Sequence, residues 1–107
     1  MKYTSTRDKS KKFEFKDVFI KGLADDGGLF IPETLHKYSE SEISDFKKLS
    51  YSDLAKEIIH PFIGNFTSEN ELGKIIEKSY SVFRKDNVID LIKVGDRSVL
   101  ELFHGPT

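Results

Sequence analysis

Three serines divide the middle of this chain into helices. Ser39 is followed three residues on by Glu42, Ser50 by Asp53 and Ser68 by Glu71. In this pattern the serine oxygen accepts a backbone N–H of the first helical turn, and the carboxylate reaches back towards the serine's own N–H. Each serine therefore marks a helix start, and together they confine residues 39 to 83 to consecutive short helices. The first, 40–48, is expected to turn Ile43 and Phe46 inward. The second, 51–63, offers Leu54, Ala55, Ile58, Ile59 and Phe62 as one stripe. The third, 69–83, carries Leu72, Ile75, Ile76, Tyr80 and Phe83 at 3-4 spacing. Pro61 removes a donor inside the second helix, which predicts a kink or an early end near His60.

The flanks read differently. Lys2 to Thr6 is β-prone and begins the chain, which fits either an edge strand or a frayed terminus. Phe15, Val18, Phe19 and Leu23 recur at helical spacing opposite Lys16, Asp17 and Lys21. Two turns of helix over 15–21 follow, with Gly22 as the stop. Ala24 to Gly28 is a turn by composition. Its adjacent glycines do not make a phosphate loop, because no strand precedes them, no G-x-G-x-x-G is present and two carboxylates would repel a phosphate. Asp25 and Asp26 are expected to cap the turn or face water. Leu29 to Ile31 reads as a brief buried strand ended by Pro32. Arg84 to Asn87 is a polar linker and the expected domain boundary. Beyond it, Val88–Val94 and Ser98–Phe103 are β-prone runs around Gly95-Asp96-Arg97, fit either to pair as a hairpin or to join a larger sheet.

Composition removes several function classes. Seventeen basic and 18 acidic side chains leave a net charge of −1, and with it no field to attract nucleic acid or an anionic membrane. The one basic run, Lys9-Ser10-Lys11-Lys12, reads as a solvated loop. With no cysteine, disulfides and thiolate metal sites are excluded. His36, His60 and His104 are far apart and lack metal-ligand spacing, so no metal is predicted. No apolar run approaches the roughly 20 residues that span a bilayer, and no signal peptide is visible, so the expected compartment is the cytoplasm. A chain of 107 residues fits one small domain, burying roughly 60 to 65% of the surface its unfolded form exposes. Nine Phe and four Tyr supply much of that core.

The chain ends on Leu100-Glu101-Leu102-Phe103-His104-Gly105-Pro106-Thr107, a short apolar strand broken by a shaped turn. This stretch resembles the one in the threonine synthase family that runs almost directly into Ala-Phe-Lys-Asp, whose lysine holds pyridoxal 5′-phosphate (PLP). Two more segments resemble the family in the same order. Tyr3-Thr4-Ser5-Thr6-Arg7 is similar to its Tyr-x-Ser-Thr-Arg, and Gly22 to Pro32 is similar to its Gly-Leu-Ala-x-Asp-Gly-Gly-Leu-Phe-x-Pro. Asp8 departs from the pattern, where the family often has glycine.

The resemblance implies an α+β fold. Residues 1–86 would form a small, mainly helical N-terminal domain with short strands, the first of them ordered and ending at Arg7. Residues 87–107 would be a C-terminal hairpin or strand pair belonging to the α/β PLP domain. It also implies the reaction of the full-length protein: O-phospho-L-homoserine and water to L-threonine and phosphate, with PLP as electron sink. The PLP lysine is expected about four residues beyond Thr107, so the 107 residues alone are expected to be inactive. His104, Gly105, Pro106 and Thr107 would shape the cofactor pocket. Ser5, Thr6 and Arg7 would border the substrate, with Arg7 on an anionic group. The alternatives are a threonine synthase-like phospho-lyase acting on a related phosphorylated hydroxy amino acid, and a free-standing interaction module without catalysis.

Overall fold

The computed structural model of the chain describes residues 1–83 and 88–103. In order these form β1 (Lys2–Ser5), β2 (Phe13–Glu14), α1 (Phe15–Lys21), β3 (Phe30–Pro32), α2 (Glu40–Phe46), α3 (Tyr51–Ile63), a 3-10 turn (Gly64–Phe66), α4 (Glu69–Tyr80), β4 (Asp90–Val94) and β5 (Arg97–Glu101). The class is α+β, as expected. Three short strands make one sheet and the last two a separate hairpin. The polar segment 84–87, where a domain boundary is expected, lies outside the described residues.

β1 is ordered, but it is not an edge. Tyr3 pairs with Phe13 on one side and with Pro32 on the other, so β1 is the centre of a sheet ordered β2-β1-β3. The edge expectation misses β2 because a two-residue strand leaves no periodicity to read. β3 begins one residue later than expected and takes in Pro32, which an outer strand tolerates because its missing donor faces away from the ladder. Leu29 and Ile31 are exposed, so β3 is not the buried strand its apolar composition suggests.

All three serine caps form. Ser39 and Ser68 make complete capping boxes with Glu42 and Glu71, and the Ser50 hydroxyl accepts the Asp53 N–H. The core they bring together is small: Ile63, Leu72 and Ile76, with Phe15, Ala55, Ile59 and Tyr80 packed against them. Two apolar stripes are covered only in part. α1 spans the expected residues, yet Phe19 on its apolar side is 69% exposed, and on α2 Ile43 is 53% exposed rather than turned inward. α2 lies instead against Tyr38 through Phe46, ring centroids 5.0 Å apart. α4 stops at Tyr80, three residues earlier than expected, and Ile75 faces solvent beside the buried Leu72 and Ile76.

Pro61 does not end α3. The helix continues to Ile63, because a proline in the last turn costs one backbone bond and that bond has a replacement. The carbonyl deprived of its partner is that of Glu57, four residues back. The Tyr38 hydroxyl donates to it at 2.9 Å. Further along, the Gly64 N–H returns to the His60 carbonyl and the Tyr3 hydroxyl donates to the Phe62 carbonyl at 2.9 Å. Two tyrosines from outside the helix thus satisfy its terminal acceptors.

The hairpin has a two-residue loop, Gly95-Asp96, since Val94 pairs with Arg97. Arg97 therefore belongs to the strand and not to the turn. Gly95 has φ +60° and Asp96 does not have positive φ, the II′ arrangement that suits a twisted hairpin. Leu91 pairs with Leu100 and Ile92 with Val99. Neighbouring pairs lie on opposite faces, so both faces of the hairpin are apolar, and all four residues are exposed.

Candidate functional site

The segment that follows β1 meets the turn that follows α1. β1 brings Ser5 to the sheet end, and the ladder continues one step further: the Thr6 N–H donates to the Leu29 carbonyl at 2.9 Å, and the Leu29 N–H to Thr6 Oγ1 at 3.0 Å. Opposite, Gly22 closes α1 and Gly27, with φ +76°, folds Ala24 to Gly28 back on itself. The Gly27 N–H reaches the Ala24 carbonyl and the Ala24 N–H the Gly28 carbonyl.

Ser5 and Asp26 lock these two segments together. Ser5, only 1% exposed, accepts the Arg7 N–H at 3.1 Å and donates its hydroxyl to Asp26 Oδ1 at 2.8 Å. The same carboxylate oxygen accepts the Gly28 N–H at 2.8 Å, the side-chain-to-backbone turn expected of aspartate in a tight loop. The Gly28 N–H first, and the Ser5 hydroxyl second, hold the Asp26 carboxyl below the ordinary aspartate range. Gly28 has to be glycine. A Cβ there would lie 2.2 Å from Ser5 Oγ, well inside any real contact.

Arg7 is exposed, and its Nη1 donates to the backbone carbonyl of Asp26 at 3.0 Å. Among the described residues no carboxylate lies within ion-pair reach of it. The acids nearby are engaged elsewhere: Asp25 with Lys21 at 2.7 Å, Asp8 with Lys11 at 3.6 Å and with Ser10. The basic run is likewise solvated, with Lys12 on Glu33 at 2.6 Å. Ser5, Thr6 and Arg7 are therefore brought together by the fold, with unequal availability. Ser5 is buried and bonded, Thr6 is used by Leu29, and of the three only Arg7 keeps donors without a partner among the described residues.

His104, Gly105, Pro106 and Thr107 lie outside the described residues. His36 sits on the surface edge-on to Tyr38, and His60 is in the last turn of α3 with Nδ1 3.9 Å from Glu69. Among the described residues no three His, Cys, Asp or Glu side chains gather as a metal site would need. A cavity of about 620 Å³ forms an open groove between the start of α1 and the 3-10 turn. Met1, Phe15, Lys16, Gly64 and Phe66 line it, and no residue of the Ser5–Arg7 segment does. A second cavity beneath the lock, between Ser5, Asp26, Lys11 and Phe13, measures about 30 Å³, room for a water but not for a substrate. The described residues can position a guanidinium.

Sequence reasoning reached Ser5, Thr6 and Arg7 and the Asp-Gly-Gly turn separately, but not the bond that joins them. Asp26 is the residue it missed in this role, since nothing in the spacing of residues 5 and 26 signals contact.

Residues 2–80 match the family described as "Threonine synthase N terminus". The whole chain is 42% identical over 108 residues to threonine synthase of Pseudomonas aeruginosa, and covers 23% of that protein. It is 38% identical over 109 residues to threonine synthase-like 2 of Mus musculus, again with all of this chain and 23% of the relative covered. In structure it superimposes on a PLP-bound threonine synthase of Brucella melitensis with TM-score 0.91 at 34% identity, covering 99% of this chain and 23% of that one. The chain thus spans less than a quarter of the length of these relatives.

Proposed function

This chain belongs to the threonine synthase N-terminal family, and on that premise we propose that it is the leading part of an enzyme converting O-phospho-L-homoserine and water to L-threonine and phosphate. The observation that carries the reading is the fold correspondence along 99% of the chain with a PLP-bound threonine synthase. In this reading residues 1–86 are the N-terminal domain and 87–107 the first strands of a PLP domain. The hairpin supports it, because a sheet apolar on both faces is of the kind that α/β domains cover on both sides.

PLP would supply the electron sink for the carbanion chemistry. The described residues show no enclosed cavity built for that cofactor: the groove of about 620 Å³ around α1, with Lys16, and the cavity of about 270 Å³ between α3 and α4, with Lys56 and Lys74, are both open to solvent. No step through PLP is therefore assigned to them. His104 to Thr107 are proposed to shape the cofactor pocket from the strand-end loop. At the other end of the chain Ser5, Thr6 and Arg7 border the substrate, with Arg7 holding an anionic group. Its exposed guanidinium, without an ion pair among the described residues, supports that role.

A second reading, a phospho-lyase acting on a related phosphorylated hydroxy amino acid, is favoured by the 38% identity to a threonine synthase-like protein. The test is turnover by the full-length gene product. Release of phosphate together with L-threonine from O-phospho-L-homoserine supports the first reading. Phosphate release only from another phosphorylated hydroxy amino acid supports the second, and no release from either overturns both.

A further inference from the structure

Arg7 lies beside an aspartate yet bonds to that residue's backbone. The Asp26 carboxylate is taken by Ser5 and by the Gly28 N–H, and only the Asp26 carbonyl meets Arg7 Nη1. A purely structural arginine would be expected to take the carboxylate, which bonds more strongly. Here the guanidinium is anchored without an ion pair among the described residues, and the Asp26 carboxylate feels its charge only at longer range. A guanidinium has five N–H donors in a planar fork, so with one bond through Nη1 the Nε–Nη2 edge has no partner among the described residues and can make two parallel bonds to an oxyanion. The anchor depends on Gly27. Its φ of +76° turns the Asp26 carbonyl towards Arg7, and a Cβ there would stand 3.0 Å from Nη1 and 3.6 Å from Cζ.

We propose that Gly27, with the Asp26 carbonyl it orients, is a positioning residue for Arg7, fixing the guanidinium so that its free edge receives an oxyanion of the substrate. This rests on the reading above that Arg7 holds an anionic substrate group. Anchoring removes rotamer freedom before the ligand arrives, which is how a preorganised site gains affinity without a new contact. The oxyanion is a phosphoryl group or a carboxylate, both of which match the fork.

The test uses the full-length protein and four variants: Arg7→Ala, Arg7→Lys, Gly27→Ala and the double Gly27→Ala/Arg7→Ala. Three constants are measured: KM for O-phospho-L-homoserine and the dissociation constants of inorganic phosphate and of L-homoserine, the last two by calorimetry. Thermal unfolding is followed alongside. Arg7→Ala is expected to weaken one of the two probes about tenfold, the usual scale of a charged hydrogen bond. Phosphate identifies the phosphoryl group and L-homoserine the carboxylate. Arg7→Lys, lacking the fork, recovers only part of the loss.

Gly27→Ala is expected to weaken the same probe several-fold, to raise KM with kcat within about twofold, and to add nothing in the Arg7→Ala background. Unchanged probe binding in Arg7→Ala sinks the anion role of Arg7 and the positioning role with it. A loss in Arg7→Ala but none in Gly27→Ala, or equal losses in both backgrounds, overturns the positioning role alone. Should Gly27→Ala not fold, Gly27→Asn brings the same Cβ with better tolerance of positive φ and carries the same expectations. Because both probes are read by binding, an absence of turnover refutes the proposed reaction without deciding this point.

Discussion

Replacing Tyr38 with phenylalanine removes one oxygen and should destabilise the helical body through a bond that only a proline makes necessary. In α3 the Glu57 carbonyl would ordinarily accept from the amide four residues on. That residue is Pro61, which has no N–H, and the Tyr38 hydroxyl occupies the acceptor at 2.9 Å. The ring contacts of Tyr38 with His36 and Phe46 survive in phenylalanine, so the change isolates the hydroxyl. A net hydrogen bond contributes about 0.5–1.5 kcal/mol. Tyr38 is half-buried and water can replace it in part, which places the expected cost near ~1 kcal/mol, or a fall of about 4–8 °C in Tm for a domain this size. The decisive measurement is a double-mutant cycle by urea unfolding. In a Pro61→Ala background the restored backbone N–H at position 61 supplies the bond internally, and Tyr38→Phe should then cost only a few tenths of a kcal/mol. If the hydroxyl costs the same in both backgrounds, to within the roughly 0.3 kcal/mol expected of independent sites, the two residues do not share the acceptor and the reasoning fails.

Gly28→Ala should destabilise the chain by about 1–3 kcal/mol, the range for forced overpacking, because its Cβ would collide with Ser5 Oγ. A denaturation midpoint equal to that of the parent would show that the Ser5–Asp26 lock is looser than described. Leu72→Ala, which empties the centre of the small core, should lose about 2–5 kcal/mol in the same assay. Six carboxyls, Asp8, Glu14, Asp26, Glu42, Asp53 and Glu71, are held below their ordinary values. The leading causes are the Ser10 hydroxyl, Lys2, the Gly28 N–H, and the hydroxyls of Ser39, Ser50 and Thr67 respectively. A lowered carboxyl contributes stability above its unfolded value, here 3.8 for Asp and 4.5 for Glu, and loses it as pH falls through the folded value. The urea midpoint should therefore be level from pH 7 to about 5 and fall steadily below about 4. A midpoint unchanged at pH 3 contradicts this.

The helical middle was legible because its signals are local. A serine and a carboxylate three residues apart act within one turn, so Ser39, Ser50 and Ser68 mark their helices whatever surrounds them. Gly22 and Gly95 are legible for the same reason, each supplying a positive φ at a chain reversal. What failed depends on partners remote in sequence. β1 looked like an edge because β2 is two residues long, and Pro61 looked like a terminator because the donor that replaces its N–H comes from Tyr38, across another helix. The Ser5–Asp26 contact is of the same kind: each motif could be read alone, and their meeting is a property of the fold. The helix α1 forms where its spacing places it, but how far its apolar side is covered was not legible. Phe15 and Phe19 have helical periodicity, but periodicity shows only which face is apolar, not whether anything in these residues covers it.

The hairpin turns that last distinction into a prediction. A half-buried antiparallel strand alternates apolar and polar residues, whereas β4 and β5 set Leu91 against Leu100 on one face and Ile92 against Val99 on the other. A two-stranded hairpin cannot bury both faces of itself, and alone is at best marginally stable. If the proposed domain assignment is right, both faces are buried in the full-length protein, and each leucine then contributes about 1.5–3 kcal/mol by leaving water. Replacing Leu91 and Leu100 together by threonine should lower the stability of the full-length protein by several kcal/mol. In the 107-residue chain, where both side chains are more than half exposed, the same pair should cost almost nothing and should reduce self-association by removing apolar area beside unpaired strand edges. The thermal unfolding midpoint is therefore expected to fall for the long form and stay level for the short one, while sedimentation of the short form shifts towards the monomer. Equal destabilisation of both forms would mean that the hairpin completes its packing within these 107 residues, and the assignment of residues 87–107 to a second domain would fall.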